Sequence, residues 1–449
     1  MIRLQLSELA AALGCDAPQH DVAVDAISTD SRKVNFGTLF AALPGSRSDG
    51  HDFAPAAVEL GASALLVRRR LDLDVPQLVV EDVLLALGTL AALVRDRLEP
   101  VVVGITGSNG KTTVKEMVAS ILKLKGEVLA TRGNYNNELG VPLSIFGLEP
   151  KHRFAVLELG ASKAGDIAYL SRIVRPDVAL VNNVGPAHLG GFGSLEGVAR
   201  AKGEIYAGLP ADGWAVLNAD EPWLDLWRGV NTAGHSLTFG KAEASDIQVL
   251  ESPEAARFRT PEGTFEARLA LPGRHNHFNA AAAVAIALAL GVDIDTIRKG
   301  LEAVLPVKGR LNTLKTPGGW TVIDDTYNAN PASLYSALQV LAEMQGGSWL
   351  VLGDMKELGE DSRKLHWEVG EAARAMGVRR LFAIGELAKI TAEAFGEGAE
   401  HFETRKALAR ALLRALRPGI NCLVKGSRSM GMEAVVEAIT HPDAMKEAC

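Results

Sequence analysis

Between residues 104 and 113 the chain reads Gly-Ile-Thr-Gly-Ser-Asn-Gly-Lys-Thr-Thr, behind the apolar run Val101 to Val103 and ahead of a helical pattern. Glycines such as Gly107 and Gly110 let backbone N–H groups turn towards phosphate oxygens, and the N-terminus of the following helix adds positive dipole. Lys111 can reach β- and γ-phosphates, and the Thr112 hydroxyl can ligate magnesium. Ser108, Asn109 and Thr113 complete the loop. A plain glycine turn before a helix is the simpler alternative, yet strand, glycines, lysine and two hydroxyls stand in the order a nucleoside triphosphate requires. Gly104 lies six residues before Gly110, one more than the widespread form of the motif.

Other chemistry-bearing residues follow strand-like runs. Glu158 ends the apolar run Phe154 to Leu157, and His188 follows Val178 to Val181 within N-N-V-G-P-A-H-L. A carboxylate and an imidazole at neighbouring strand ends can hold a divalent cation, although such residues taken singly are more often surface or hinge positions. Lys202, in A-R-A-K-G-E-I-Y, is by itself a solvated lysine. Asn279 closes R-H-N-H-F-N just before an alanine-rich stretch, where capping a helix is the economical role and bonding a ligand such as adenine the alternative.

A scaffold must bring these strand ends together. Residues 1–98 mix short β-type runs, such as Ala62 to Val67, with turn residues such as Asp49-Gly50, and the Glu99-Pro100 break follows. Next come Val101 to Val103, a helix from about Lys111, Phe154 to Leu157, Ile167 to Val174 and Val178 to Val181, an alternation that predicts a parallel sheet with helices on both faces. The alanine-rich stretch Ala280 to Leu290 reads as a helix closed by Gly291. From Trp320 the pattern restarts, with strands at Thr321 to Ile323, Trp349 to Leu352, Leu381 to Ile384 and Cys422 to Val424. Ligands of open α/β sheets gather at strand carboxyl ends, which points to Asp324, Asp325, Gly353, Asp354, Lys425 and Gly426. The expected fold is α/β in three domains: a small α/β unit at 1–98, a central phosphate-loop unit with a mainly parallel sheet at 99–312, and a Rossmann-like unit at 313–449.

Composition excludes several classes. At 449 residues the chain exceeds what one core organises, and 47% hydrophobic with 22% charged residues is ordinary globular usage. A net charge of −7, with Arg68, Arg69 and Arg70 forming only a short solvated group, disfavours nucleic acid and membrane surfaces as partners. Three cysteines, Cys15, Cys422 and Cys449, form neither a disulfide framework nor a thiolate metal site. No signal-like segment or membrane-spanning run is present, so a soluble, unprocessed cytoplasmic protein is expected, and with no apolar stripe declaring an interface, a monomer.

The T-G-x-x-G-K-T-T form at Thr106 to Thr113 resembles the Mur ligase family, and further segments match that family in order along the chain. Ser28 to Arg32 (S-T-D-S-R) and Asp49 to Phe53 (D-G-H-D-F) resemble its uridine-nucleotide-binding domain, and Gly133 to Pro142 (G-N-Y-N-N-E-L-G-V-P) its acceptor loop. Asp324 to Pro331 (D-D-T-Y-N-A-N-P) and Gly353 to Gly359 (G-D-M-K-E-L-G) resemble the version that accepts D-alanyl-D-alanine. The resemblance implies ATP and Mg²⁺ as cofactors, a UDP-N-acetylmuramoyl tripeptide and D-alanyl-D-alanine as substrates, and ligation through an acyl phosphate. It implies Lys111, Glu158, His188 and a carbamylated Lys202 as the catalytic set, the last three joining Thr112 around metal. Asn279, Arg310 and Asp325 would contact ATP, Ser28, Asp30, Ser31, Asn136, Asn137 and Ser162 the acceptor, and Tyr327, Asn328 and Asn330 the dipeptide. One departure stands beside it: Leu157-Glu-Leu-Gly160 is followed by Ala161, Ser162 and Lys163, where the family often has Ala-Asn and a histidine. Ligases adding a single amino acid, and folate polyglutamate ligases, carry other sequences at Y-N-A-N-P. A phosphate-loop switch protein, the rival from another class, needs neither two further ligand-shaped domains nor a second metal site.

Overall fold

The computed structural model describes residues 1–45, 48–186, 189–252 and 255–441; His188 and Cys449 lie outside that set. Apolar runs of four to seven residues become buried strands, and these close into three main sheets.

The first sheet is wholly parallel, with strands Ala26–Ser28, Thr38–Ala41, Ala64–Val67 and Gln77–Val79 side by side in chain order. The helix Val83–Leu98 follows. Asp82 caps it by accepting from Leu84 N–H at 2.8 Å and Leu85 N–H at 3.1 Å. It ends where Glu99 turns left-handed (φ +46°) before Pro100. Its Leu87, Leu90 and Val94 lie in one core with Leu39 and Leu66 of the first sheet and with Val141, Ile145 and Ile173 of the middle section. The first two sheets therefore share a continuous apolar core across the Glu99-Pro100 turn.

The second sheet runs Gly263–Ala267, Ala256–Thr260, Ile247–Leu250, His235–Gly240, Trp214–Asn218, Val178–Val181, Val101–Thr106, His152–Glu158, Glu127–Ala130. Seven of the nine strands are parallel, and the first two form an antiparallel hairpin on one edge. The phosphate-loop strand is interior and parallel to both neighbours, so Thr106, Glu158 and Val181 finish at the same, carboxyl end of the sheet. On one face the helix Lys111–Lys123 packs Val114, Met117, Val118 and Ile121 against the buried Ala280 to Ala287 of a second helix. Methyl side chains let the two axes come close, and bulkier residues there would overpack by about 1–3 kcal/mol. The opposite face is covered by the helix Asp166–Val174, which buries Ile167, Leu170 and Val174. The alanine-rich helix spans Arg274–Ala289, six residues longer at its start than expected. Asn279 therefore lies in the second turn and does not cap it; Gly273 occupies the cap position.

The third sheet has the order Asn312–Lys315, Thr321–Asp325, Ile420–Lys425, Gly347–Gly353, Arg380–Ile384, Ala399–Phe402, parallel apart from the first pair. Its faces bury two separate clusters, one around Leu334, Leu338, Leu341 and Val369 and the other around Leu408, Leu412, Val435 and Ile439. Cys422 is buried and unpaired in the second.

Candidate active site

The strand Val101–Thr106 delivers the chain into a loop whose shape depends on Gly107 (φ +149°) and Gly110 (φ +79°). A Cβ on Gly110 would stand 2.4 Å from Asn279 Oδ1 and 2.5 Å from Asn182 Nδ2, so backbone and amides pass where only hydrogen fits. Lys111 opens the helix and donates from Nζ to the Gly107 carbonyl at 2.7 Å, folding back over its own loop. Burial pulls the Lys111 ammonium below its usual value; Glu158 opposes this and Arg310 adds to it.

Two asparagines that follow the neighbouring strand hold the loop. Asn183 Oδ1 accepts from Asn109 N–H at 2.8 Å, while Asn182 Nδ2 and Asn183 Nδ2 each donate to the Asn109 carbonyl at 3.0 Å. Asn182 also donates to Asn279 Oδ1 at 2.9 Å, and Asn279 Nδ2 donates to Asn276 Oδ1 at 3.0 Å. Asn182 and Asn183 had no role in the sequence reading, although their place at the carboxyl end of a strand beside the loop was a signal.

Thr112 Oγ1 donates to Glu158 Oε2 at 2.9 Å, and Glu158 is 2% exposed. The Glu158 backbone N–H is held by Thr131 Oγ1 at 3.0 Å, and the Thr131 carbonyl accepts from the buried Lys115 Nζ at 2.7 Å. Lys202, 3% exposed, lines the same cavity, and its Nζ has no hydrogen-bond or ion-pair partner among the described residues. Desolvation, and then repulsion from Lys111, hold its amine well below the usual lysine range. An uncompensated buried ammonium is costly, so burial shifts the balance towards the neutral amine.

The third sheet closes the cavity. Gly309 N–H donates to Asp324 Oδ2 at 3.0 Å and Leu311 N–H to Asp325 Oδ1 at 3.2 Å, which ties Arg310 mechanically to that sheet. Arg310 stacks over the Tyr327 ring, 4.0 Å from its centroid, and donates to Thr112 Oγ1 at 2.8 Å. Asp325 pairs with Lys425 Nζ, which also donates to the Asn328 carbonyl at 2.9 Å. Burial pushes the Asp325 carboxyl up, against the pull of Lys425. Asn330 donates from Nδ2 to Asn109 Oδ1 at 2.8 Å. Asp354, expected at a ligand, instead caps the helix Glu386–Phe395 by accepting from Leu387 N–H at 3.0 Å and Ala388 N–H at 2.8 Å. Asp324 is likewise committed, accepting from Thr326 Oγ1 at 2.6 Å.

These groups surround one cavity of about 1140 Å³. Lining it are Gly107 to Lys111, Thr113, Glu158, Lys202, Asn279, Arg310, Asp325, Tyr327, Asn328 and Asn330, together with Asn136, Asn137 and Ser162 from the middle section. Asn137 Oδ1 accepts from Gly140 N–H at 2.8 Å, and Ser162 donates from Oγ to Asp166 at 3.0 Å, so both are partly engaged. Lys356, Ser427 and Arg428 also face the cavity and were not singled out beforehand. Ser28, Asp30 and Ser31 do not line it: Ser28 and Asp30 bond to each other, and Arg32 holds the Asp30 carboxyl down at about 2. Among the described residues no three His, Cys, Asp or Glu side chains cluster as a ready metal cage, and no helix is long and apolar enough to cross a membrane.

Comparison with known proteins agrees with this arrangement. Three family models match in chain order: the catalytic domain of the Mur ligase family at residues 23–95, the Mur ligase middle domain at 105–287, and the Mur ligase glutamate ligase domain at 309–428. The UDP-N-acetylmuramoyl-tripeptide–D-alanyl-D-alanine ligase of Escherichia coli K12 is 46% identical over 98% of this chain and 99% of its own length. That of Bacillus subtilis 168 is 36% identical over 94% of each chain. A crystal structure of MurF from Acinetobacter baumannii superposes with a TM-score of 0.91 at 37% identity, covering 98% of this chain and 99% of that one. MurF from Thermotoga maritima in complex with ADP gives 0.83 at 33% identity, over 92% and 96%. Likeness of this extent, over nearly the whole length of each relative and in all three sheets, makes the chain a member of the Mur ligase family.

Proposed function

We infer that this chain is an ATP-dependent ligase that joins D-alanyl-D-alanine to the terminal carboxylate of a UDP-N-acetylmuramoyl tripeptide. The products are ADP, phosphate and the UDP-linked pentapeptide precursor of peptidoglycan. The observation that carries the reading is that a phosphate loop and a third-sheet ligand surface line a single cavity. The name borne by the E. coli and B. subtilis relatives supports the same substrates.

In this reaction the tripeptide carboxylate attacks the γ-phosphorus of ATP, and ADP leaves. The amine of the dipeptide then attacks the acyl carbon, and phosphate leaves. The first step brings two anions together, so positive charge aimed at the transferring group is the main catalytic contribution. Lys111, the N-terminus of its helix and Arg310 supply that charge from within the chain. Tyr327 and Asn328 offer the dipeptide a surface on the opposite wall, and Asn279 and Asp325 flank the nucleotide. Asn136, Asn137 and Ser162 face the acceptor's peptide, and Ser28, Asp30 and Ser31 its uridine end. This assigns residues 1–98, 99–312 and 313–449 to acceptor, ATP and dipeptide respectively.

Magnesium fits the donors present: a hydroxyl and a carboxylate oxygen 2.9 Å apart, beside a phosphate loop, suit a hard cation that completes its shell with phosphate oxygens and water. Thr112 and Glu158 would hold it, with His188 and a carbamylated Lys202 in the same proposal. When bound, the ion neutralises charge on the β- and γ-phosphate oxygens. Every residue named comes from one chain, so a monomer suffices, and the UDP-linked acceptor suits a cytoplasmic enzyme.

The test is phosphate release from ATP and magnesium with UDP-muramoyl tripeptide present and D-alanyl-D-alanine, D-alanine or L-amino acids supplied in turn. Release that requires the dipeptide, with a UDP-pentapeptide in the mass spectrum, is the expected result. Turnover with one amino acid instead would move the specificity, and independence from any UDP-sugar acceptor would overturn the assignment.

A further inference from the structure

Asn330 stands at the start of the helix Pro331–Glu343, the element through which the third sheet approaches the phosphate loop. Its Oδ1 accepts from Ser333 N–H at 2.9 Å, and its own N–H donates to Ser333 Oγ at 3.1 Å, a reciprocal cap. The cap fixes the amide's orientation: oxygen must face the Ser333 N–H, so nitrogen faces Asn109 Oδ1, 2.8 Å away. Asn109 is the member of the loop whose backbone N–H and carbonyl are both gripped by Asn182 and Asn183. The contact thus joins a rigid helix start to the most constrained residue of the loop, across 221 positions of chain.

We propose that Asn330 is a positioning residue, a latch that docks the third sheet on Asn109 and so ties the order of the phosphate loop to the arrival of the dipeptide's amine. Its amide serves Asn109 and not the dipeptide. The inference rests on the ligase reading above for its kinetic consequence, while the latch itself is a property of the chain. Docking through Asn109 makes the acyl phosphate form only when the wall carrying Tyr327 and Asn328 is in place. Water is then kept from the intermediate while the amine is held near it.

Asn330→Ser is the informative variant, because serine caps a helix about as well as asparagine but is one bond too short to reach Asn109. Its thermal midpoint stays at that of the wild type. Its kcat falls about tenfold, the worth of one lost hydrogen bond, and phosphate released per amide bond formed rises above one. Loop amides at residues 107–112 exchange faster with deuterium than in the wild type, a readout that needs no turnover. A second arm uses carboxylates: Asn109→Asp and Asn330→Asp each keep one amide that can donate across the gap, whereas the double variant sets two carboxylates against each other. Its loss in kcat then exceeds the product of the single losses. Unchanged exchange and one phosphate per product in Asn330→Ser, a kcat loss matched by a fall in thermal midpoint, or losses that simply multiply in the double variant would each overturn the latch. A wild type inert towards the dipeptide, with exchange still sensitive to Asn330, would count against the ligase reading alone.

Discussion

Glu158 and Thr112, one from a strand end and the other from the first turn of the adjoining helix, share a 2.9 Å hydrogen bond inside the protein, and Arg310 reaches the same hydroxyl from across the cleft at 2.8 Å. A buried carboxylate and an arginine tied to the third sheet therefore meet at one hydroxyl oxygen. Glu158→Gln keeps an acceptor for Thr112 but removes the negative charge. We expect kcat/KM to drop about 10²–10³-fold, the scale of losing one preorganised electrostatic contact, with more magnesium needed for half-maximal rate. Phosphate-release kinetics across a magnesium series decide it, and an unaltered magnesium requirement would remove Glu158 from the metal site.

Among the described residues, the charged group acting on buried Lys202 is another cation, Lys111, which favours the uncharged amine; we expect that amine to attack carbon dioxide, losing a proton and becoming a carbamate anion. Incubation with ¹³C-bicarbonate should give a carbamate carbon resonance that disappears in Lys202→Met. Activity should fall when dissolved carbon dioxide is stripped and return when it is restored. A spectrum identical for the two proteins would rule the modification out.

Lys425 and Asp325 form a buried ion pair at the base of the third-sheet wall. Lys425→Met leaves the Asp325 carboxyl without its counter-charge, a loss of about 3–5 kcal/mol. Adding Asp325→Leu should recover much of it, because an apolar pair of similar volume removes the desolvation problem. Denaturant unfolding of the two single variants and the double variant measures this, and strictly additive losses would contradict it.

His275 faces the cleft near Lys425 and His277, and burial, reinforced by those two charges, lowers its pKa to about 4. In the unfolded chain a histidine titrates near 6.5. The folded protein therefore disfavours the proton: His275 contributes full stability above about pH 6.5 and loses it as pH falls towards 4, by up to about 3 kcal/mol. The unfolding midpoint should fall over that window in the wild type, and less so in His275→Phe. Equal slopes for the two would refute the linkage.

Strands made of uninterrupted apolar residues were readable from the chain, because burial on both faces leaves no alternation to misjudge: Val178–Val181 was placed to the residue. Strands of mixed composition escaped notice. Ala256–Thr260 alternates alanine, arginine, phenylalanine, arginine and threonine next to the edge strand, in the antiparallel hairpin, and Ala399–Phe402 borders its sheet with glutamate and histidine. At Asn279 the local pattern R-H-N-H-F-N suggests a helix boundary and a cap, but the helix begins at Arg274, and the asparagine's bonds to Asn182 and Asn276 are not revealed by adjacent sequence. Likewise, the loop itself was plain at Gly107 to Thr113, whereas Arg310, Lys425 and Asn330 gain their meaning from a cleft closed by residues about two hundred positions or more away from that loop.

The interior position of the strand Val101–Thr106 has a consequence for the ribosome. Its neighbours in the sheet are made 50 to 80 residues later, and Asn279, whose amide fills the space beside Gly110, later still. At about 5–20 residues per second, the stretch from Gly110 to Asn279 takes roughly 8 to 34 s to synthesise. Throughout that interval the nascent chain carries Lys111 and the spaced glycines of the loop without the Asn279 amide beside them. The loop thus gains the last of its asparagine supports only when almost two thirds of the message has been translated.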